Sequence, residues 1–375
     1  MAGGEGRPEK GTGPQVRKLT AAGCLLLSSA LSAGASMDFT YTLGGSAPSS
    51  QAITVTFSGF PVATTLWVDR PDWLDVSPSS CYAAGSCSLR VSLRTQDLRA
   101  GVYSGSIGLS GTVNLRYYYR GVTEVTARVI GPPAISPGGI VGAAGFRPGL
   151  VSGSWASIFG EGLAITYFSG HAWEASDIIE GALPTSLDGV SVRINGKLAA
   201  LCFVSPTQLN VQAPDDETVG VVPVEVKTPY GTVQSSAELR SSAPALFARS
   251  YANKQKTYLS AAAVHLDGNL VGDPEDGNGA RGAKPGEIIM LYGTGFGKTA
   301  PARPAGTIVD PAPLAQPVYV YIGDVPAEVR YGGLVSPGLY QFNVVVPPLS
   351  PRDYWVAAEI EGQRSQAGVA LTVIQ

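Results

Sequence analysis

Two stretches of the chain repeat each other at a fixed distance. SIFGEGLA (157–164) answers MLYGTGFG (290–297), and QLNVQAP (208–214) answers QFNVVVP (341–347). Gly162 and Gly295 stand 133 residues apart, and so do Gln208 and Gln341. A constant offset over two separate blocks is the mark of one folding unit written twice. Between the blocks, VSVRINGKLAALCFV (190–204) answers VYVYIGDVPAEVRYG (318–332). Each copy closes on alternating runs, VVPVEVKTPYGTVQSSAEL and YWVAAEIEGQRSQAGVALTV. Alternation of apolar with polar residues is the period of a half-buried strand, so the repeated unit is expected to be a β-sandwich.

The N-terminal part obeys the same rule. QAITVTFSGF (51–60), SLRVSL (88–93), YSGSIGLS (103–110) and TEVTARV (123–129) alternate and are bounded by turn residues. Short strands at this spacing describe a sandwich of ~100 residues. The 375 residues include 47 glycines and 28 prolines, about one in five against an average of roughly 12%. That many turn formers suits short strands and leaves little room for helices. The expected fold is all-β, with three tandem Ig-like sandwiches following an N-terminal signal peptide. Proline-rich joints at GPPAISPGG (131–139) and SSAPALFA (241–248) divide it. The expected division is 1–35 signal peptide, 36–130 first sandwich, 131–245 first copy of the repeat and 246–375 second copy.

The signal peptide is read from Arg7, Lys10, Arg17 and Lys18, the apolar LTAAGCLLLSSAL (19–31), and a cleavage site at Ala33-Gly34-Ala35. The apolar run falls short of the ~20 residues of a membrane span. No membrane span is expected in the mature chain, which is expected to be secreted or held at the cell surface. An exported chain meets an oxidising compartment, so CYAAGSC reads as a loop closed by a Cys81–Cys87 disulfide. Cys202 is left over and reads as a buried small residue.

Net charge is −3 without long charge runs, which excludes a general electrostatic grip on nucleic acid. Two histidines, His171 and His265, starve most metal and acid–base schemes. LYGTGFGKT (291–299) imitates a phosphate loop, but the first glycine would have to stand at position 292, which is Tyr292. Prolines 301, 304, 311 and 313 forbid the helix that should follow. The other copy keeps Gly160 and Gly162 for Gly293 and Gly295 and has no lysine. The glycines therefore read as a turn both copies need, and no nucleotide or other cofactor is expected. Gln208 and Asn210 recur as Gln341 and Asn343; at i, i+2 each pair shares a strand face, expected to fix nearby loop backbone. DGNLVGDPEDGNGARG (267–282) breaks the spacing of a calcium loop and reads as a solvated hairpin tip. His171, with Glu174 and Asp177 nearby, could be imagined in a hydrolase, but no Gly-x-Ser-x-Gly elbow marks a nucleophile.

RPDWLDVSPSS (70–80) and LRAGVYSGSIGLSG (98–111) resemble the BACON family of Ig-like modules. Trp73, Leu74, Val76, Ser77 and Pro78 match its first stretch, and Leu98, Gly101, Tyr103, Gly105 and Ile107 its second. Each repeat resembles an IPT/TIG-type Ig-like domain. The pair is similar to the C-terminal region of secreted proteins of Solibacter-type acidobacteria, through Pro285 to Gly297 and through Tyr331, Gly333, Leu334, Gly338, Leu339, Tyr340, Gln341, Asn343 and Val344. By analogy, the BACON resemblance implies glycan binding.

Aromatic residues supply the candidate surface. LRYYYRG (115–121) puts Tyr117 and Tyr119 on one strand face, with Trp67 in the same segment. Flat aromatic rows stack on sugar rings and anchor partner proteins. The expected function is a non-catalytic secreted or surface interaction module, its partner an extracellular polysaccharide or a surface protein. The alternative is a structural spacer that assembles at the cell surface.

Overall fold

A computed structural model describes residues 36–56, 64–83, 86–113, 116–252, 257–276 and 279–375, some strand residues beside the gaps by backbone alone. The leader expected over 1–35 lies outside them. The chain is all-β. Apart from two single-turn 3-10 segments, Ala175–Asp177 and Pro274–Asp276, the regular structure of the described residues is strand. None of their helices is long and apolar enough to cross a membrane.

Alternation in sequence becomes alternation in burial. Met37–Thr42 buries Met37, Phe39 and Tyr41 and exposes the residues between. Gly220–Thr228 buries Val222, Val224 and Val226. Each such side chain contributes about 1.5–3 kcal/mol on leaving water. Three separate clusters result. Phe39, Leu74, Leu89, Val91 and Ile107 fill the space between a five-stranded and a three-stranded sheet. Ile158, Val192, Leu201, Leu209 and Val224 lie between two five-stranded sheets. Ile289, Phe296, Ile322, Phe342 and Val356 fill the third, enclosed by one continuous sheet. There the long strand Val325–Ser336 pairs with Val318–Ile322 at its start and with Leu339–Val345 along the rest. It carries the chain from one layer into the other.

One topological feature recurs three times. An early strand lies parallel to the last strand of its cluster: Met37–Thr42 beside Arg116–Ile130, Leu150–Val151 beside Gly231–Arg240, and Thr257–Ala261 beside Val369–Val373. The repeat in sequence is also a repeat in register. Gln208 pairs with Phe159 and Asn210 with Ser157. In the second copy Gln341 pairs with Tyr292 and Asn343 with Met290.

The paired glycines have a steric cause. A Cβ on Gly160 would stand 2.0 Å from the Ala134 carbonyl oxygen, and one on Gly293 would stand 2.6 Å from that of Ala245. Gly162 and Gly295 have φ of +62° and +83° and face the carbonyl oxygens of Pro132 and Ala243. In both copies the linker entering the unit runs against the glycine turn, where only a residue without a side chain leaves room.

Thr294 and Gly295 also hold the two copies together. Trp155 donates its backbone N–H to Thr294 Oγ1 (3.0 Å) and its Nε1–H to the Pro337 carbonyl (2.7 Å). Gly295 N–H donates to Ser154 Oγ (3.1 Å). The phosphate-loop imitation is thus a docking edge for the preceding unit. At the other joint, Val102 N–H donates to the Thr166 carbonyl (2.9 Å), and Tyr103 meets Phe168 edge-on at 5.1 Å.

Candidate functional site

Aromatic side chains on solvent-facing sheet surfaces form the candidate site. In the first segment, strand Thr64–Asp69 pairs with Gly101–Val113, which pairs with Arg116–Ile130. Trp67 faces Ser110, and Ser110 faces Tyr119. Positions 67, 110 and 119 therefore form one cross-strand row. Position 117, opposite Thr112, is two residues along the same face. Two strand spacings of ~4.8 Å separate positions 67 and 119. Trp67 is 45% exposed, so this face meets solvent there. The side chains of Tyr117 and Tyr119 lie outside the described residues. Cys87 is disulfide-bonded; the side chain of Cys81, its expected partner, also lies outside them.

A second aromatic row was not singled out from the sequence. Val318–Ile322 pairs with Arg352–Ile360, placing Tyr319 opposite Glu359 and Tyr321 opposite Ala357. Trp355, two residues before Ala357, shares that face. Tyr319 is 56% and Trp355 63% exposed. The Arg364 guanidinium lies 5.2 Å from the Tyr321 ring centroid and bonds Asp324 Oδ1 at 3.2 Å. The signal was present in VYVYIG and in YWVAAEI: alternation buries Val320, Ile322, Tyr354 and Val356 and turns Tyr319 and Trp355 outward. A third aromatic group bridges the first joint. Trp73, Tyr103 and Phe168 touch in series at 5.8 and 5.1 Å, and Tyr167 stands exposed beside them.

The recurrent amides bond each other rather than the loop backbone expected for them. Gln208 Nε2 donates to Asn210 Oδ1 at 2.8 Å, and Gln341 Nε2 to Asn343 Oδ1 at 2.7 Å. Two side chains at i, i+2 are close enough to satisfy one another without a loop. In the first copy Ser157 Oγ also donates to Asn210 Oδ1 (2.9 Å); Met290 takes its place in the second.

His171 is 40% exposed and bonds Asp188 Oδ2 at 3.0 Å. Asp177 instead accepts the Glu174 N–H (2.7 Å) and caps its own 3-10 turn. The two acidic neighbours in sequence are thus not the partners of His171 in space. His265 is fully buried. Its Nδ1 stands 2.7 Å from Glu287 Oε1 and its Nε2 3.1 Å from the Arg281 carbonyl. In the 267–282 loop, Asp267 accepts the Asn269 N–H and an Arg281 N–H (3.0 and 3.1 Å), while Asp273 caps Glu275 (3.0 Å). Positions 277 and 278 lie outside the described residues. Among the described residues no three metal-ligating side chains converge. Cys202, expected to be buried, is instead half-buried; it is a free thiol, and the desolvation it does undergo pushes it up to about 12.

No family model matches the chain, and no curated protein does. Solved structures match it only at low similarity. One is SGBP-B of the Bacteroides ovatus mixed-linkage glucan utilization locus, in complex with a mixed-linkage heptasaccharide. It is 12% identical at a TM-score of 0.28, over 90% of this chain and 66% of that one. A surface glycan-binding protein from Prevotella bryantii is 12% identical at 0.20, over 64% of this chain and 41% of that one. A tandem pair of titin Ig domains is 13% identical at 0.27, over 54% and 92%. The chain thus spans about two thirds of the first of these. At such scores the likeness extends to no residue and to no ligand.

Proposed function

We propose that the protein is a non-catalytic module, exported to the cell surface or beyond, that binds polysaccharide by stacking sugar rings on aromatic sheet faces. The observation that carries this reading is the exposure of aromatic side chains on solvent-facing sheet surfaces, Trp67 in the first segment and Tyr319 and Trp355 in the third. Burying an aromatic ring is favourable, so rings left facing water on a sheet face are poised for a flat apolar partner. The face of a pyranose is such a partner. Trp67, Tyr117 and Tyr119 form the first platform in this reading, supported by the register that puts the three positions on one face.

The division into a BACON-like unit (36–130) and two IPT/TIG-like units (131–245 and 246–375) belongs to the same proposal. It is supported by three separate clusters of buried residues and the thrice-repeated parallel strand pair. The Solibacter-type resemblance of the last two units is part of it.

Depletion of the full chain from solution by cellulose, chitin and mannan tests the reading. Binding to at least one is expected, and Trp67→Ala/Tyr117→Ala/Tyr119→Ala weakens it at least about tenfold, a loss of ~1.4 kcal/mol or more. Binding that this variant leaves intact removes the first platform. A second reading, a rigid spacer, is favoured by the hydrogen bonds that cross the joint at Trp155, Thr294 and Gly295. It predicts no binding to any of the three.

A further inference from the structure

Strand Gly231–Arg240 lies at the edge of its sheet. On one side it pairs antiparallel with Gly220–Thr228, from Gly231 to Leu239, without a bulge. On the other side Leu150–Val151 meets only Leu239 and Arg240. In the first segment the equivalent edge is covered from Val125 to Ile130 by Met37–Thr42.

Pro223 shows which backbone groups are left over. The Pro223 carbonyl accepts the Asn195 N–H at 2.8 Å. Asn195 follows strand Ser191–Ile194, which flanks Gly220–Thr228 on the far side. In a strand the N–H and C=O of one residue point to the same edge, and successive residues alternate. Pro223 stands opposite Ser236 and turns its backbone away from it, so Ser236 turns its own backbone outward. With the register unbroken, Gln234 and Thr232 do the same. Among the described residues, no strand pairing or turn supplies a partner to the backbone N–H or C=O of Thr232, Gln234 or Ser236. A row of this kind is a template for another strand, and folded proteins usually blunt it with proline, lysine or a bulge. The segment GTVQSSA (231–237) has none of these. The rim of the core is open at the same place. Val233 and Ala237 face the core opposite the buried Val226 and Val222, yet stay half-buried, and Ser235 between them is exposed.

The pattern of open groups selects the occupant, because it is symmetric about Gln234. Lay a second copy antiparallel with a two-fold axis at Gln234. Thr232 then pairs with the partner's Ser236, Gln234 with the partner's Gln234, and Ser236 with the partner's Thr232. Every open N–H meets an open C=O and none is left over. Residues 231–237 carry no charge, so no like charges oppose each other across the new ladder. Val233 comes opposite the partner's Ser235, and each copy covers the other's open rim.

We propose that the protein dimerises through this edge, residues 231–237 of two copies pairing antiparallel about Gln234 and joining their sheets. The same patch serves on both copies, as a two-fold interface requires. The proposal goes beyond the polysaccharide-binding reading and does not depend on it.

The test is sedimentation velocity of the full chain across a dilution series. Wild-type protein is compared with Thr232→Lys/Ser236→Lys, which sets lysine opposite lysine at both ends of the ladder. Both side chains are exposed, and calorimetry checks that the variant keeps its fold. The expected result is a concentration-dependent dimer whose Kd the lysine variant raises at least about tenfold. Mixing the lysine variant with Thr232→Glu/Ser236→Glu is expected to restore the dimer. Air oxidation reads the register. Residues paired as Gln234 and its counterpart would be have Cα atoms ~5.5 Å apart, within reach of a disulfide, so Gln234→Cys is expected to cross-link. Thr232→Cys, ~14 Å along the ladder from its counterpart, is expected to stay at the wild-type background set by the free Cys202. A chain that is monomeric throughout the series overturns the proposal. So does a dimer that the lysine variant leaves unchanged, or one that cross-links through Thr232→Cys instead of Gln234→Cys.

Discussion

Three glycine-to-alanine substitutions separate the two reasons a glycine can be required. Gly306 has φ of +75°, and nothing lies within 4 Å of where a Cβ would be. An alanine there meets only the left-handed backbone penalty, ~1–2 kcal/mol. Gly160 has no positive φ, but its Cβ would stand 2.0 Å from the Ala134 carbonyl oxygen. The backbone must move, at an overpacking cost of ~1–3 kcal/mol. Gly295 combines both demands, with φ of +83° and the Ala243 oxygen at 2.1 Å, so Gly295→Ala is expected to cost ~2–5 kcal/mol. For a unit of this size a loss of 1 kcal/mol lowers Tm by ~3 °C. Gly295→Ala then lowers the transition of the third segment by ~6–15 °C, and Gly306→Ala by ~3–6 °C. Differential scanning calorimetry reads both, with the transitions of the three segments resolved, because a multi-unit chain need not melt as one. A Gly295→Ala protein that melts with Gly306→Ala would refute the account of the glycine turn as a seat for the incoming linker.

Three further outcomes follow from the same structure. Trp155→Phe keeps the ring at the joint but leaves the Pro337 carbonyl without its donor; a loss of ~1–2 kcal/mol is expected, against ~3–5 kcal/mol for Trp155→Ala, seen as separation of the second and third calorimetric transitions. Thr218 hydrogen bonds hold the Asp216 carboxyl well below the usual carboxylate range, against the opposing effect of burial and with help from Asn195 and Lys197. A depressed folded pKa stabilises above the unfolded value, so this contribution is present at neutral pH and is lost as pH falls through and below the carboxylate range; Asp216→Asn is expected to flatten the acid limb of a stability–pH curve. Cys202, with its thiol pushed up to about 12, is expected to resist iodoacetamide at pH 8 in the native protein and to react once unfolded, since only the thiolate attacks.

Much of the architecture is legible in the sequence, because alternation and turn residues act locally. The repeat is legible down to register: the spacing shared by Gly162/Gly295 and Gln208/Gln341 becomes the same strand pairing in both copies. What the glycines touch is not legible, since Ala134 and Ala245 approach them from a distance along the chain. The amide pairs show a milder limit. Their shared face follows from i, i+2, but whether each amide bonds loop backbone or its neighbour depends on side-chain reach in space. Tyr319 and Trp355 could have been found by asking which aromatics fall on the polar side of an alternating run. His265 could not, because its partners Glu287 and Arg281 arrive by folding.

The central claim is that exposed aromatic faces bind polysaccharide, and affinity electrophoresis tests it most directly. The full chain is run through gels containing soluble polysaccharides, beside Trp67→Ala/Tyr117→Ala/Tyr119→Ala and Tyr319→Ala/Trp355→Ala. The account predicts retardation of the wild-type protein in at least one gel, reduced in one or both variants. Wild-type mobility unchanged in every gel, or retardation that both variants retain in full, would contradict it.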